Sequence, residues 1–284
     1  MGRAQPNAPP RKPATHPLSR RAATRYMMPM YHQGDAMKIG VIQTGNVRAG
    51  LSAQFGEYPA MFDALLNGGE GPGFHVEAYP VVDGAALPSP AAADGWLITG
   101  SRHGVYDDLP WIAETKAFLR AARAAKRPIV GVCFGHQILA EAFGGSAIKH
   151  PGGWRLGVET YRVVNRPAWM ADAPEALRLH SLHQDQVVAI PADAQVWATS
   201  PGCAYAGLSY GDPDAPDAVS IQPHPEYAIP FARALYDHLL AQGRLPADLG
   251  AAALESVGQQ VDNARLGRWF ADYLRGKAAS RAAA

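Results

Sequence analysis

Cysteine is scarce in this sequence, since its 284 residues include only Cys133 and Cys203. Two cysteines cannot form the disulfide framework that small extracellular domains use, so we expect a reducing, cytoplasmic location. The sequence has ten histidines, but we find none in a tight zinc-ligand pattern with cysteines or acidic residues. The sequence therefore predicts neither a metal nor a cofactor.

Long apolar runs and a large net charge are also missing. No stretch of 18 or more apolar residues occurs, which argues against a membrane-spanning helix. The net charge is +1, but six basic side chains and one acid fall within residues 1–36, which leaves 20 basic and 24 acidic residues elsewhere. The main body is thus slightly acidic, and we predict no nucleic-acid and no membrane partner.

Residues 1–36 are rich in proline, arginine and alanine and have no apolar period, which predicts a disordered basic tail. Ser-Arg-Arg at residues 19–21 resembles part of a twin-arginine export signal, but the apolar stretch after it is too short. A tag remnant, a short transit peptide and a true start at Met37 stay open as alternatives. A solvated tail is favoured over a nucleic-acid-binding arm.

From Met37 onward, short apolar runs alternate with stretches of helical spacing. The predicted strands cover residues 38–43, 74–82, 95–99 and 128–132, followed by several short strands between 157 and 221. The predicted helices cover residues 59–66, 110–125, 137–143, 230–241 and 252–274. Such alternation indicates an α/β fold with a parallel sheet and right-handed crossovers. We predict one α/β domain at residues 37–242 and a C-terminal helical extension at residues 243–284.

The strongest motif is Pro-Ile-Val-Gly-Val-Cys-Phe-Gly-His-Gln at residues 128–137. Its Gly-x-Cys-x-Gly core, between a buried strand and a helix, is the cysteine counterpart of a serine nucleophile elbow. Glycines permit the sharp turn, and the helix N-terminus favours a thiolate. We predict Cys133 as a nucleophile and the backbone N–H of Phe134 as an oxyanion donor. A buried core cysteine is the alternative, and it is the preferred interpretation of Cys203.

A thiol nucleophile needs a base that a third group orients. Gln-Pro-His-Pro-Glu at residues 222–226 supplies both groups at the end of an apolar run. We predict that His224 takes the thiol proton and later protonates the leaving amine, while Glu226 fixes the imidazole tautomer. Neither motif is specific alone, but together they predict a Cys-His-Glu triad.

These two motifs together resemble the class I glutamine amidotransferase family, which includes the glutaminase domain of GMP synthase, from about residue 37 to residue 240. The resemblance implies a flavodoxin-like three-layer sandwich with a mixed, mostly parallel central sheet. It implies a small-molecule γ-glutamyl substrate, a thioester on Cys133 and release of ammonia or an amine. It also implies that Gln137 contacts the glutamyl group and that Gly100 gives the second oxyanion N–H.

Two further segments bear on the substrate. The loop at residues 99–108 is larger and more charged than in many glutaminase domains, and we select Ser101, Arg102 and His103 as substrate-binding candidates. Arg102 and His103 would bind an extra carboxylate, as in a γ-glutamyl peptide; a solvated loop is an equal alternative. The segment at residues 180–187 is similar to one in stand-alone members such as plant γ-glutamyl peptidases. There we favour Asp185 pairing with a substrate α-amino group over capping of a turn.

Three functional hypotheses follow. The first is a glutaminase-type hydrolase that converts glutamine to glutamate and ammonia, and the second is a stand-alone γ-glutamyl peptidase. The third is an inactive binding or scaffold protein, which the complete triad disfavours. Only about 40 residues follow Leu240, fewer than a domain needs. Any acceptor chemistry is therefore expected on a separate acceptor or synthetase subunit.

Overall fold

A mixed nine-stranded sheet forms the centre of the structure, a computed structural model that describes residues 36–71 and 73–282 together with Met1. The tail predicted at residues 1–36 lies almost entirely outside the described residues. The strands are β1 Met37–Ile42, β2 Phe74–Tyr79, β3 Gly95–Ile98, β4 Ile129–Val132, β5 Ser146–Lys149, β6 Arg155–Val163, β7 Ala176–His183, β8 Asp185–Ala189, β9 Ala194–Ser200, β10 Cys203–Asp212 and β11 Ala215–Ile221. The helices are α1 Ser52–Phe55, α2 Tyr58–Asn67, α3 Pro110–Ala124, α4 Phe134–Ala142, α5 Ile229–Ala241, α6 Ala247–Ser256 and α7 Asn263–Ala282.

The sheet has a parallel half and an antiparallel half. Its strand order is β2-β1-β3-β4-β11-β10-β9-β6-β7. The pairs from β2 to β11 are parallel, whereas those from β11 to β7 are antiparallel. Strands β5 and β8 form a separate antiparallel pair. Helices α2 and α3 supply the crossovers of the parallel half, because parallel neighbours cannot be joined by a tight turn.

Helices cover both faces of the sheet. Along β4, Val130 and Val132 pack in one buried cluster with residues of α2 and α7, whereas Ile129 packs in a second cluster with residues of α3 and α4. Alternate side chains of a strand point to opposite faces, so the two clusters are the two sides of one sheet. This arrangement confirms the predicted three-layer sandwich with a mixed central sheet.

The C-terminal segment differs from its prediction. The prediction of a single helix at residues 252–274 is wrong, because the chain forms two helices there, α6 and α7, with a break between them. Gly258 follows the end of α6, and Asp262 Oδ2 accepts a hydrogen bond from Arg178 N at 2.9 Å just before α7 begins. Helix α7 buries Trp269 and Phe270 against the sheet. The domain boundary between residues 242 and 243 stays a prediction.

None of the helices in the described ranges is both long enough and apolar enough to cross a bilayer.

Candidate active site

The turn between β4 and α4 is held in a strained conformation. Cys133, its central residue, has φ 55° and ψ −103°. A residue other than glycine in this region costs about 1–3 kcal/mol, and such strain tends to occur at functional sites. The Cys133 N–H donates to Ile221 O at 2.9 Å, and the Gly135 N–H donates to Thr99 O at 3.1 Å. The turn is thus anchored to the ends of both neighbouring strands, β11 and β3.

The two glycines of the Gly-x-Cys-x-Gly motif are required by close backbone contacts. A Cβ at Gly131 would overlap the carbonyl oxygen of Gly135, and a Cβ at Gly135 would overlap that of Ile98. Backbone atoms cannot move aside as the end of a flexible side chain can. Glycine at these positions therefore lets α4 approach the sheet closely enough to place Cys133 at its edge.

We expect Gly135→Ala to lower the free energy of unfolding by about 1–3 kcal/mol, because the added methyl group overpacks against the β3 backbone. Urea unfolding followed by circular dichroism measures this change. Gly276→Ala is the matched control: Gly276 lies in α7 with open space beside it, so alanine should stabilise by about 0.5–1 kcal/mol. A destabilisation of equal size in both variants would contradict the close contact at Gly135.

His224 is fixed on three sides. Its Nδ1 lies 2.7 Å from Glu226 Oε1, and its backbone N–H donates to His180 O at 2.8 Å. Its ring also stacks on Tyr227, with the ring centroids 4.0 Å apart. Because Glu226 occupies Nδ1, Nε2 is the nitrogen left for the thiol. The side chains of His224 and Glu226 are 3% and 0% exposed, so the pair is shielded from water.

The charges around His224 favour its protonated form. Burial by itself lowers the pKa of His224, but Glu226 and Cys133, through their negative charges and hydrogen bonds, raise the pKa to about 10. An imidazolium beside the sulfur is the partner that a cysteine nucleophile requires. The two predicted motifs therefore meet in an arrangement suited to thiol chemistry.

Gly100 lies next to both groups. A Cβ at Gly100 would lie 3.1 Å from His224 Cε1 and 3.7 Å from Cys133 Cβ. The Gly100 carbonyl accepts hydrogen bonds from the hydroxyl groups of Thr44 and Thr99, at 3.2 and 3.0 Å, which fixes the orientation of this segment. Phe134, the other candidate oxyanion donor, is the first residue of α4. Their oxyanion role stays a prediction.

A hydrogen bond joins Gln137 to Asp185 in the cavity that Cys133 lines. Gln137 Nε2 donates to Asp185 O at 3.0 Å and to Gln222 Oε1 at 3.1 Å, and neither contact uses Gln137 Oε1. The Asp185 carboxylate accepts a hydrogen bond from the hydroxyl of Tyr106 at 2.9 Å, and burial raises the pKa of Asp185. This side of the site thus offers an amide oxygen and a carboxylate, both suited to an ammonium group.

The loop after β3 also reaches the site. Ser101 Oγ accepts a hydrogen bond from the His103 N–H at 3.1 Å, which folds the loop locally. His103 Nδ1 lies 3.3 Å from Asp107 Oδ2, so this histidine already has a carboxylate partner within the chain. Arg102 is exposed. Of the two candidates for binding a substrate carboxylate, Arg102 is therefore the better placed.

A cavity of about 650 Å³ collects these groups. Its lining includes Cys133, His224, Gly100, Ser101, Arg102, His103, Gln137 and Asp185. Glu226 and Phe134 do not line it: Glu226 lies behind His224, and Phe134 directly follows Cys133. The volume lies within the range of drug-sized ligand sites, larger than one amino acid requires.

Sequence reasoning missed several residues of this lining, among them Arg48, Tyr58, Tyr227 and Arg244. Tyr227 directly follows Glu226, so proximity to the motif was a usable signal. Arg48 and Arg244 lie in loops after β1 and α5, and no motif links positions so far apart in sequence.

The other buried histidines near the site remain neutral. Burial lowers the pKa of His183 to about 3 and that of His180 to about 4. His183 Nδ1 lies 3.1 Å from Asp185 O. The described ranges contain no group of three or more His, Cys, Asp or Glu side chains arranged to hold a metal ion. His224 is thus the histidine whose surroundings favour a positive charge beside Cys133.

Comparison with solved structures defines the class of fold. The structure superposes on a glutamine amidotransferase from Thermotoga maritima with a TM-score of 0.67, at 18% identity, covering 86% of this chain and 99% of that chain. A glutamine amido transferase from Methylobacillus flagellatus gives a TM-score of 0.66, at 24% identity, covering 87% and 95%. At these identities the likeness establishes the fold: the flavodoxin-like architecture of the glutamine amidotransferases.

The chain belongs to the class I glutamine amidotransferase family, because residues 65–233, more than half of the sequence, match the family model described as glutamine amidotransferase class-I. It is 29% identical over 199 residues to gamma-glutamyl peptidase 4 of Arabidopsis thaliana, covering 67% of this chain and 76% of that relative. Gamma-glutamyl peptidase 3 of the same plant is 29% identical, covering 47% and 55%, so the match spans about half of that relative. The GMP synthase [glutamine-hydrolyzing] of Bacillus cereus is 29% identical over 46% of this chain and 24% of that relative. The resemblance identified from the two motifs is confirmed.

Proposed function

We propose that this protein hydrolyses γ-glutamyl amide bonds through a γ-glutamyl thioester on Cys133. The observation that carries the proposal is the buried His224–Glu226 pair beside a cysteine at a strained strand-to-helix turn. Family membership supports the class of chemistry, which is hydrolytic and of the glutamine amidotransferase or peptidase type.

The chemistry takes two steps. In the first, His224 holds the thiol proton while the Cys133 sulfur attacks the γ-carbonyl carbon, and the resulting oxyanion accepts hydrogen bonds from the N–H groups of Phe134 and Gly100. The intermediate collapses as the C–N bond breaks, and the proton on His224 passes to the leaving amine. In the second step water attacks the thioester, His224 takes its proton, and glutamate leaves as the sulfur is restored.

The glutamyl group is held on the side of Gln137 and Asp185. Gln137 Oε1 and the Asp185 carboxylate would accept hydrogen bonds from the substrate α-ammonium group, for which charge-assisted bonds are the stronger kind. Tyr106 orients Asp185 by donating to its Oδ2. Recognition of the ammonium group would therefore select a γ-glutamyl residue whose α-amino group is free over one whose α-amino group is in a peptide bond.

We expect Asp185→Asn to raise KM for γ-glutamyl substrates about tenfold while kcat changes less than threefold, because the lost charge binds substrate in the ground state and the transition state alike. Steady-state kinetics on one γ-glutamyl dipeptide measures both constants. Tyr106→Phe is the matched variant: it keeps the Asp185 charge and removes one hydrogen bond, so its effect on KM should be smaller. A fall in kcat at constant KM for Asp185→Asn would argue against a binding role.

A γ-glutamyl peptide is favoured over free glutamine as the substrate. The cavity of about 650 Å³ exceeds what glutamine fills, and Arg102 adds an exposed cation at its edge. The alignment with relatives named gamma-glutamyl peptidase spans up to 76% of the length of those relatives. Delivery of ammonia to a separate acceptor or synthetase subunit is the alternative, since GMP synthase is also among the relatives.

The test compares three kinds of substrate without any partner protein. Glutamine, γ-glutamyl dipeptides and their α-linked isomers are incubated with the enzyme, and glutamate, ammonia and free amine are quantified. We expect glutamate and amine in equal amounts from the γ-linked dipeptides, less product from glutamine and none from the α-linked isomers. Release from no γ-glutamyl amide would show that the proposed self-sufficient hydrolase is wrong.

A further inference from the structure

Three arginines open onto the cavity. Arg48 follows β1, Arg102 follows β3 and Arg244 follows α5. Within the part of the chain that the structure describes, none of their guanidinium groups has an ion pair or a hydrogen bond. Elsewhere arginines are often paired, as Arg268 is with Asp172 at 2.9 Å. An unpaired cluster in the cavity of the nucleophile indicates a binding role for something outside the chain.

Packing brings two of these loops together. Val47, next to Arg48, and Leu245, next to Arg244, belong to the same buried apolar cluster. Burial and then the positive charges of Arg244 and Arg102 lower the pKa of Arg48. Like charges in one cavity repel each other, so the fold holds the guanidinium groups in an arrangement that a bound anion would stabilise.

The charged side chains that line the cavity indicate how much negative charge a ligand should carry. Its cationic side chains outside the histidines exceed its carboxylates by two: Arg48, Arg102, Lys149 and Arg244 against Asp107 and Asp185. A γ-glutamyl group carries one α-ammonium and one α-carboxylate and is neutral overall. Two negative charges on the other half of the substrate, the leaving amine, would balance this excess of positive charge.

The contacts of Arg48 place it toward the leaving amine. Its charge acts on Tyr58 and Tyr227, and the Tyr227 ring stacks on His224, the group that protonates the departing amine. Gln137, by contrast, is bonded to the segment of Asp185, which lies on another strand and is assigned to the glutamyl ammonium. Arg48 thus lies toward the side of the cavity where His224 would protonate the amine, and Arg102 and Arg244 line the same cavity.

We infer that Arg48, Arg102 and Arg244 form an anion-binding subsite for the leaving amine, and that the preferred substrates are γ-glutamyl amides of amines with two carboxylates. Guanidinium groups suit carboxylates because they bind them through two parallel hydrogen bonds. This inference rests on the proposed γ-glutamyl hydrolysis and adds the chemical class of the amine.

The first test varies the charge of the leaving amine. Glutamine, γ-glutamylglycine and γ-glutamylglutamate release amines with no, one and two carboxylates. We expect kcat/KM to rise about tenfold with each carboxylate, and the increase to shrink at 1 M salt, where the screening length falls to about 3 Å. Equal kcat/KM for the three substrates would overturn the subsite and leave the proposed hydrolysis standing.

The second test removes single arginines. Arg48→Ala and Arg244→Ala should each lower kcat/KM at least tenfold more for γ-glutamylglutamate than for glutamine. Arg166→Ala, which removes an exposed arginine outside the cavity, should leave both values unchanged. Equal losses on both substrates would overturn the inference, because they would place the arginines on the glutamyl half or in a structural role.

Calorimetry of Cys133→Ala with γ-glutamylglutamate separates the inference from the proposed function. If the dipeptide binds Cys133→Ala and the additional change Arg48→Ala weakens this binding at least tenfold, the subsite is supported. This holds even if the wild-type enzyme does not hydrolyse the dipeptide, and in that case only the proposed hydrolysis would be wrong. Absence of binding by Cys133→Ala, with the protein folded by circular dichroism, would overturn the subsite.

Discussion

Replacing Cys133 by alanine is expected to lower kcat for γ-glutamyl amide hydrolysis by about 10⁴-fold or more, because the bond-forming atom is removed while the cavity keeps its shape. Steady-state release of glutamate from a γ-glutamyl dipeptide measures the loss. Cys203→Ala is the matched control. Cys203 begins β10, and burial raises the pKa of its thiol to about 12, so it stays protonated and should contribute less than a twofold change.

The two cysteine variants need the same check on folding. Both should show circular dichroism spectra like the wild type, since Cys133→Ala removes only a sulfur atom from the turn. A Cys133→Ala enzyme with more than a tenth of the wild-type kcat, or a Cys203→Ala enzyme that loses activity while folded, would contradict the assignment of the nucleophile.

Replacing His224 by alanine is expected to lower kcat about 10³-fold, because the variant loses both the positive partner of the sulfur and the proton donor to the leaving amine. The structure accounts for the size of the effect: His224 is buried, hydrogen-bonded to Glu226 and stacked on Tyr227. Imidazole added to the buffer should restore part of the activity, since the vacated space lies beside Cys133. A His75→Ala variant, which alters an exposed histidine on β2, is the control and should keep full activity.

The rescue experiment distinguishes a chemical role from a structural one. A fall in kcat for His224→Ala that imidazole partly reverses supports proton transfer. An activity within tenfold of the wild type would show that His224 is dispensable, and the Cys-His-Glu arrangement would then not be catalytic.

The centre of the parallel half could be predicted because β3 and β4 are short, fully buried apolar runs between turn residues. Strand β4 was predicted at residues 128–132 and runs over Ile129–Val132. Helix α4 begins at Phe134, three residues before the predicted start, because Cys133 alone completes the turn from the strand. A periodicity argument cannot detect such a tight junction, although the glycine spacing of the motif indicated its position.

The antiparallel half was less predictable. Several short strands were expected between residues 157 and 221, but their pairing was not, and β5 and β8 form a sheet of their own. Partly buried strands specify their pairing by contacts distant in sequence. The same limit applies to the cavity, which Arg48 and Arg244 both line although they are far apart in sequence. Their neighbours Val47 and Leu245 belong to one apolar cluster.

The candidate site divides along similar lines. The motifs that contain Cys133, His224 and Glu226 were visible because each chemical role needs a particular residue type at a particular turn. The family and the fold are confirmed, whereas the catalytic and binding roles of single residues remain proposals that kinetics must test. Arg102 illustrates the difference. Its loop was selected from the sequence, whereas only the structure shows that Arg48 and Arg244 line the same cavity.

The most direct test of the central claim is the mass of the intact protein after rapid acid quenching during turnover of a γ-glutamyl dipeptide. The account predicts a species heavier than the free enzyme by one glutamyl group, located by peptide mapping on Cys133 and absent from Cys133→Ala. Turnover at full rate without any adduct on Cys133, or with the adduct on another residue, would contradict it.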